Sequence, residues 1–172
     1  MTRWIHFSSV LLAGLMLVGC GGDEAAQGEP TASSAAWRLA DAPGDAVDVA
    51  AAKASVAEGD SIVVRGRIGG RMEPISPDSG VFVIMDPAVP SCADMPGDAC
   101  QTPWDYCCET PQSITANAAT VQLRDAEGNP VRLASGALTP LSEVIVTGTV
   151  APRPNSDTLM IHATGVHVVP RP

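Results

Sequence analysis

The chain has 172 residues, with 10 Lys plus Arg against 19 Asp plus Glu and a formal net charge of −9. Such a surface repels phosphate backbones and carries no basic cluster, so nucleic-acid binding, which rests on a basic footprint and counterion release, is not expected. Aromatic residues make up 3% of the chain, so a core must come from Val, Ile, Leu and Ala, and the length suits one domain plus a tether rather than two separate cores.

The N-terminus opens with one cation, Arg3, followed by an apolar stretch from Val10 to Val18. That stretch is shorter than the roughly 20 residues needed to cross a bilayer and reads as an export signal. It ends in Leu17-Val18-Gly19-Cys20, which resembles the cleavage and lipidation site of bacterial lipoproteins. The resemblance implies removal of residues 1–19 and acylation of Cys20, with a membrane as partner through the lipid. Cleavage takes away only Arg3 among the charged residues and leaves a formal charge of −10. Gly21, rather than an aspartate, follows Cys20. By analogy with lipoprotein sorting, this favours the outer membrane, facing the periplasm. From Gly21 to about Ala36 the composition is that of a flexible tether, and residues 20–44 are expected to precede a folded domain spanning 45–172.

Within that domain, Val49, Ala52 and Val56 fall at helical spacing between Asp45 and Glu58, with Asp45 or Asp48 as N-cap and Gly59 as a stop. Ser61 to Ile68 alternates, with Ile62, Val64, Gly66 and Ile68 on one face, and Gly66 permits the sharp bend a small barrel needs. Val81 to Asp86 is a strand apolar on both faces. A third strand begins near Thr120, and the turn Asp125 to Pro130 predicts a hairpin with a return strand through Val131 and Leu133. Glu143 to Val150 repeats the first strand's design, with Gly148 in the place of Gly66. The last strand, Thr158 to Val168, changes phase between Ala163 and Val166 and requires a bulge at Thr164-Gly165.

Five strands, bend glycines in the first and fourth, "Val-Phe-Val-Ile-Met-Asp" and "Leu-Ser-Glu-Val-Ile-Val-Thr-Gly-Thr-Val" resemble an OB-fold, and the chain is similar to uncharacterised exported bacterial OB-fold proteins. The resemblance covers about Ser61 to Val168. It implies an all-β, five-stranded OB-fold-like barrel with a short N-terminal helix and a loop insertion; an immunoglobulin-like β-sandwich is the competing architecture. OB-folds often bind ligands by stacking on aromatic residues of the second and third strands. Here Phe82 is the sole aromatic residue in those strands, and in its apolar run it reads as core.

Residues 87–118 form a long insertion between the second and third strands, and it holds Cys92, Cys100, Cys107 and Cys108. An even set of cysteines in an exported chain reads as two disulfides, each worth on the order of 2–3 kcal/mol. Either Cys92–Cys107 with Cys100–Cys108 or Cys92–Cys108 with Cys100–Cys107 is open. A four-thiolate zinc or iron–sulfur site would use the same residues, but the gaps between them depart from the two-to-four-residue spacing of structural zinc sites. Trp104 and Tyr106 stand beside the paired cysteines. Packing against the sulfurs as a miniature core is the preferred reading for these rings; an exposed contact for a protein or glycan partner is the other. The acidic residues Asp86, Asp94, Asp98, Asp105 and Glu109 lack the order of an EF-hand and read as solvated charge.

His162 and His167 fall on the outer face, roughly 16 Å apart along a strand, too far to share one metal ion. No nucleophile elbow, zinc-protease, Walker or dinucleotide motif occurs in the sequence. The expectation is a lipid-anchored binding or adaptor module without catalysis or cofactor. The alternative is a metal-handling or thiol-redox protein that uses the four cysteines, with Met85 or Met95 as soft ligands.

Overall fold

The computed structural model describes residues 36–171; the expected export signal, Cys20 and most of the expected tether lie outside the described residues. In chain order the elements are β1 (Val47–Asp48), α1 (Val49–Ser55), β2 (Ser61–Ile68), β3 (Ile75–Ser76), β4 (Val81–Met85), α2 (Pro111–Asn117), β5 (Ala118–Leu123), β6 (Glu143–Val150) and β7 (Met160–Val168). Short 3-10 turns occupy Pro77–Ser79 and Cys92–Asp94.

Five of the strands close into a ring. Strand β2 pairs antiparallel with β4, β4 with β5, and β6 with both β2 and β7, while β5 and β7 run parallel. This order is that of an OB-fold barrel. The β2–β4 pairing closes one continuous sheet, where an immunoglobulin-like sandwich would keep two separate sheets, so the competing architecture is excluded. The interior is aliphatic as the composition requires: Ile62, Val64, Ile68, Ile84, Val121, Val144, Val146 and Ile161 are buried around Phe82. Phe82 is core and no platform for stacking. Burying a ring of this size contributes roughly 2–3 kcal/mol.

The phase change in the last strand is real. Thr147 pairs with Gly165 and Gly148 with Ala163, which leaves Thr164 unpaired as the bulge residue. The bend glycine Gly148 sits so close to β7 that a Cβ would lie 2.3 Å from the His162 carbonyl oxygen. Here the absent side chain is a packing requirement. His162 and His167 lie on the outside as expected, and His167 Nδ1 is 3.2 Å from the Leu39 carbonyl oxygen.

Three expectations need correction. The domain begins earlier than residue 45: Trp37 is buried, and residues 37–39 run beside β7 through Val166 N–H to the Trp37 carbonyl and Leu39 N–H to the Val166 carbonyl. Apolar Trp37 and Leu39 pull this end of the tether onto the barrel. The helix is shorter than 45–58, because Val47–Asp48 is drawn into a parallel bridge with β2. Asp48 occupies the N-cap position without capping; its carboxylate pairs with the Arg65 guanidinium at 2.8 and 3.1 Å. The buried Asp86 carboxylate caps the helix instead, accepting from Ala50 N–H at 2.8 Å. Finally, the turn after β5 forms, but the return strand does not. Beyond an isolated bridge at Pro130, which has no N–H to extend a ladder, the chain crosses the barrel end and buries Leu133 and Leu138 as a plug.

Replacing Gly148 by Ala forces backbone against backbone. We predict a loss of about 2–3 kcal/mol in urea unfolding. Gly44→Ala, with open space around its Cβ position, should stay within about 0.5 kcal/mol of the parent.

Candidate functional site

The insertion between β4 and β5 is ordered by polar contacts at its two ends. At its start, Ser91 and Asp94 form a reciprocal capping box around the Cys92–Asp94 turn, and Asp94 also pairs with Arg67 of β2. Burial opposes ionisation of Asp94, but the Ser91 hydrogen bonds and the Arg67 charge outweigh it and hold the carboxyl below its usual range. At its end, Thr110 accepts from Ser113 N–H at 3.1 Å with Pro111 in the first turn, and α2 follows. Thr-Pro ahead of a polar run is a helix-start signal. The signal is in the sequence, but the Pro- and Cys-rich residues ahead of it have the composition of a loop.

Between these ends the chain docks on the barrel through Trp104-Asp105-Tyr106. Gly70 N–H donates to the Trp104 carbonyl at 2.8 Å, and a Cβ on Gly69 would lie 2.6 Å from that oxygen and 2.8 Å from the Tyr106 ring. Tyr106 is 1% exposed and adopts φ +59°. A left-handed backbone at a tyrosine costs about 1 kcal/mol or more and persists only where the surroundings impose it; here the buried ring does so. Tyr106 is therefore a packing residue, which removes it from the candidate partner contacts. Trp104 is half-buried, its indole N–H donating to the Met72 carbonyl at 2.9 Å. Beside it Met72 is 70% exposed.

The four thiols gather on this platform. Cys92 Sγ lies 3.6 Å from Cys107 Sγ and 3.9 Å from Cys108 Sγ, and Cys100 Sγ lies 3.7 Å from Cys107 Sγ. No two of these sulfurs lie at disulfide-bonding distance. Cys92 and Cys107 each touch two other sulfurs, and the group is a connected cluster rather than two separate pairs. Asp105 joins it, held by Thr102 Oγ1 at 2.8 Å and Cys107 N–H at 2.8 Å. The Thr102 hydrogen bond, more than burial opposes it, keeps the Asp105 carboxyl below its usual range. Hydrogen bonding to Cys92, then to Cys100 and Asp105, pushes the Cys107 thiol up, and Cys92 does the same to Cys108. Met85 is buried against Gly70, away from ligand duty.

A second concavity of about 380 Å³ lies at the barrel end between residues 36–37 and the turn after β5, lined by Trp37, Arg124, Asp125, Glu127 and Val131. Trp37 Nε1 and Arg124 Nε are buried without a partner among the described residues. Sequence reading missed this cleft because it assigned Trp37 to the tether region and saw Arg124 as outward-facing strand.

Burial pushes the Tyr106 phenol up to about 12, from 10.0. The unfolded chain then loses this proton at lower pH than the folded one, so folding stability declines as pH rises from about 10 to about 12. Tyr106→Phe should flatten that decline in denaturant titrations across the alkaline range, at little cost near neutrality because the hydroxyl has no hydrogen-bond partner. Tyr106→Ala should cost about 3–5 kcal/mol.

No family model matches this chain, and no curated protein does. Among solved structures, it is similar to the hypothetical protein YgiW from E. coli, at 17% identity and a TM-score of 0.39, over 73% of this chain and 91% of that one.

Proposed function

We propose that this protein is a non-catalytic binding or adaptor module of the bacterial cell envelope, with the OB-fold barrel as scaffold and the cysteine-bearing insertion as its contact surface. Acylation of Cys20 would hold it at the outer membrane, facing the periplasm, and residues 21–36 would let the domain stand off the lipid. The observation that carries the reading is how the insertion is fastened. Docking of the insertion costs a left-handed tyrosine and needs a glycine at position 69, and it leaves the half-buried Trp104 of the insertion beside the exposed Met72 of the β2–β3 connection, which suits presentation of a rigid apolar patch. Met72 and Trp104 combine an adaptable thioether with a large aromatic anchor, residue types enriched at protein contact sites. The partner in this reading is a protein with a complementary apolar side chain. The acidic surface argues against nucleic acid.

Two measurements test it. Cys20→Ala should move the protein from the membrane fraction to the soluble fraction and abolish incorporation of labelled palmitate; an unchanged distribution would refute the anchor. A photo-crosslinking amino acid at position 72 should give discrete adducts in intact cells, while the same group at the exposed Glu58 should give none. Equal patterns from the two positions would refute the contact surface.

A further inference from the structure

We propose that Cys92, Cys100 and Cys107, with the Asp105 carboxylate, form a binding site for one zinc(II) ion that closes the insertion. The site does not depend on Cys20 being acylated or on the Met72–Trp104 patch having a partner.

Four ligand atoms, three sulfurs and one carboxylate oxygen, all lie within 4.8 Å of one another. Tetrahedral zinc with a Zn–S bond of about 2.3 Å sets its sulfurs about 3.8 Å apart. The observed separations of 3.6 Å for Cys92–Cys107 and 3.7 Å for Cys100–Cys107 already approximate the edges of that tetrahedron. The donors are also held in place by the backbone around them. Cys92 N–H donates to the Pro103 carbonyl at 3.2 Å, Cys100 N–H to Asp98 Oδ1 at 2.7 Å, and Cys107 N–H to Asp105 Oδ1 at 2.8 Å. Apart from Cys92 and Tyr106, the segment from Ser91 to Thr110 buries no large apolar side chain, so the thiols are not gathered by a hydrophobic core.

The donor set selects the cation. Three sulfurs exclude the hard cations magnesium and calcium, which take oxygen ligands at higher coordination number. A carboxylate as fourth ligand with tetrahedral spacing fits zinc, and a metal-bound thiol releases its proton on binding. Cys108 is outside this set: its sulfur lies 3.9 Å from Cys92 Sγ and 3.9 Å from Asp98 Oδ2, in a second group of three donors that shares only Cys92 with the first. The position of Cys108 makes the proposal separable from a disulfide framework. Among the described residues, the sulfur contacts within 4 Å run Cys108, Cys92, Cys107, Cys100, and a chain of four can pair completely in one way, Cys92–Cys108 with Cys100–Cys107. The complete two-disulfide framework therefore requires Cys108, whereas the zinc site does not.

The test uses the full-length processed chain in detergent, reduced with a phosphine under anaerobic conditions, and cobalt(II) as a spectroscopic probe. The proposal expects about one cobalt per chain, with the intense visible bands of a tetrahedral site and sulfur-to-cobalt charge transfer, both erased by zinc. Cys108→Ser should retain the stoichiometry and the spectrum. Cys100→Ser and Cys107→Ser should each lose about a third of the charge-transfer intensity or all binding, with near-ultraviolet circular dichroism confirming that the barrel is folded. Weak octahedral bands or no binding by the parent would overturn the site, as would loss of binding in Cys108→Ser. It would equally be overturned if protein alkylated at lysis without reductant proved fully crosslinked, Cys92 to Cys108 and Cys100 to Cys107, and free of zinc.

Discussion

Closure of the barrel between β2 and β4 is the constraint on which everything else rests. It is made by two residue pairs, Arg67 with Met85 and Ile68 with Ile84, at the point where β2 ends in Gly69-Gly70. The chain leaves the ring just there, and the insertion uses the same opening: the Trp104 carbonyl and the Tyr106 ring fill the space that a side chain on Gly69 would take, and Gly70 donates its N–H to that carbonyl. Barrel closure and attachment of the insertion are thus one packing problem. Arg67 serves both, since it pairs with Met85 through its backbone and with Asp94 through its guanidinium.

Several charged side chains in this protein act across the fold. Asp86, at the end of β4, caps α1, thirty-six positions away from the N–H it accepts. Arg153, in the β6–β7 connection, donates to the carbonyls of Lys53 and Val56 at the other end of that helix. A seven-residue helix is too short to be stable alone, and these two long-range contacts satisfy terminal groups that its own sequence leaves open. Asp48, the local candidate for the cap, is drawn away by Arg65 on the neighbouring strand. A bidentate pair outcompetes a cap when the bridge between β1 and β2 brings the two side chains together.

Much of the barrel was legible in the sequence because alternation with period two is a local property. The bounds of β2 and β6, the inward-facing set of each, the position of the bulge at Thr164 and the core role of Phe82 could all be read from side-chain order. The return strand after β5 failed for an equally physical reason. Turn residues predict reversal of the chain, but whether a strand follows depends on a free edge to pair with, and both edges of β5 are already taken, by β4 and by β7. Trp37 escaped notice as a core residue because a single aromatic in a Gly-, Ala- and Ser-rich segment has no periodicity to mark it.

The insertion shows the limit most clearly. Cysteine spacing in the chain argued against a shared site, since gaps between Cys92, Cys100 and Cys107 do not match a local metal loop. Spacing reports distance in space only where the backbone between ligands is a simple turn. Here the Ser91–Asp94 box, the docked Tyr106 and the Asp105 turn fold the segment back on itself and bring three sulfurs and a carboxylate oxygen within 4.8 Å of one another. What the sequence by itself determined was the barrel, its bends and the identity of the residues that carry chemistry, because these follow from patterns between neighbours. Which of those residues meet, and which carboxylate caps a helix rather than joining a cluster, was decided only by tertiary structure, through contacts between positions the chain keeps far apart.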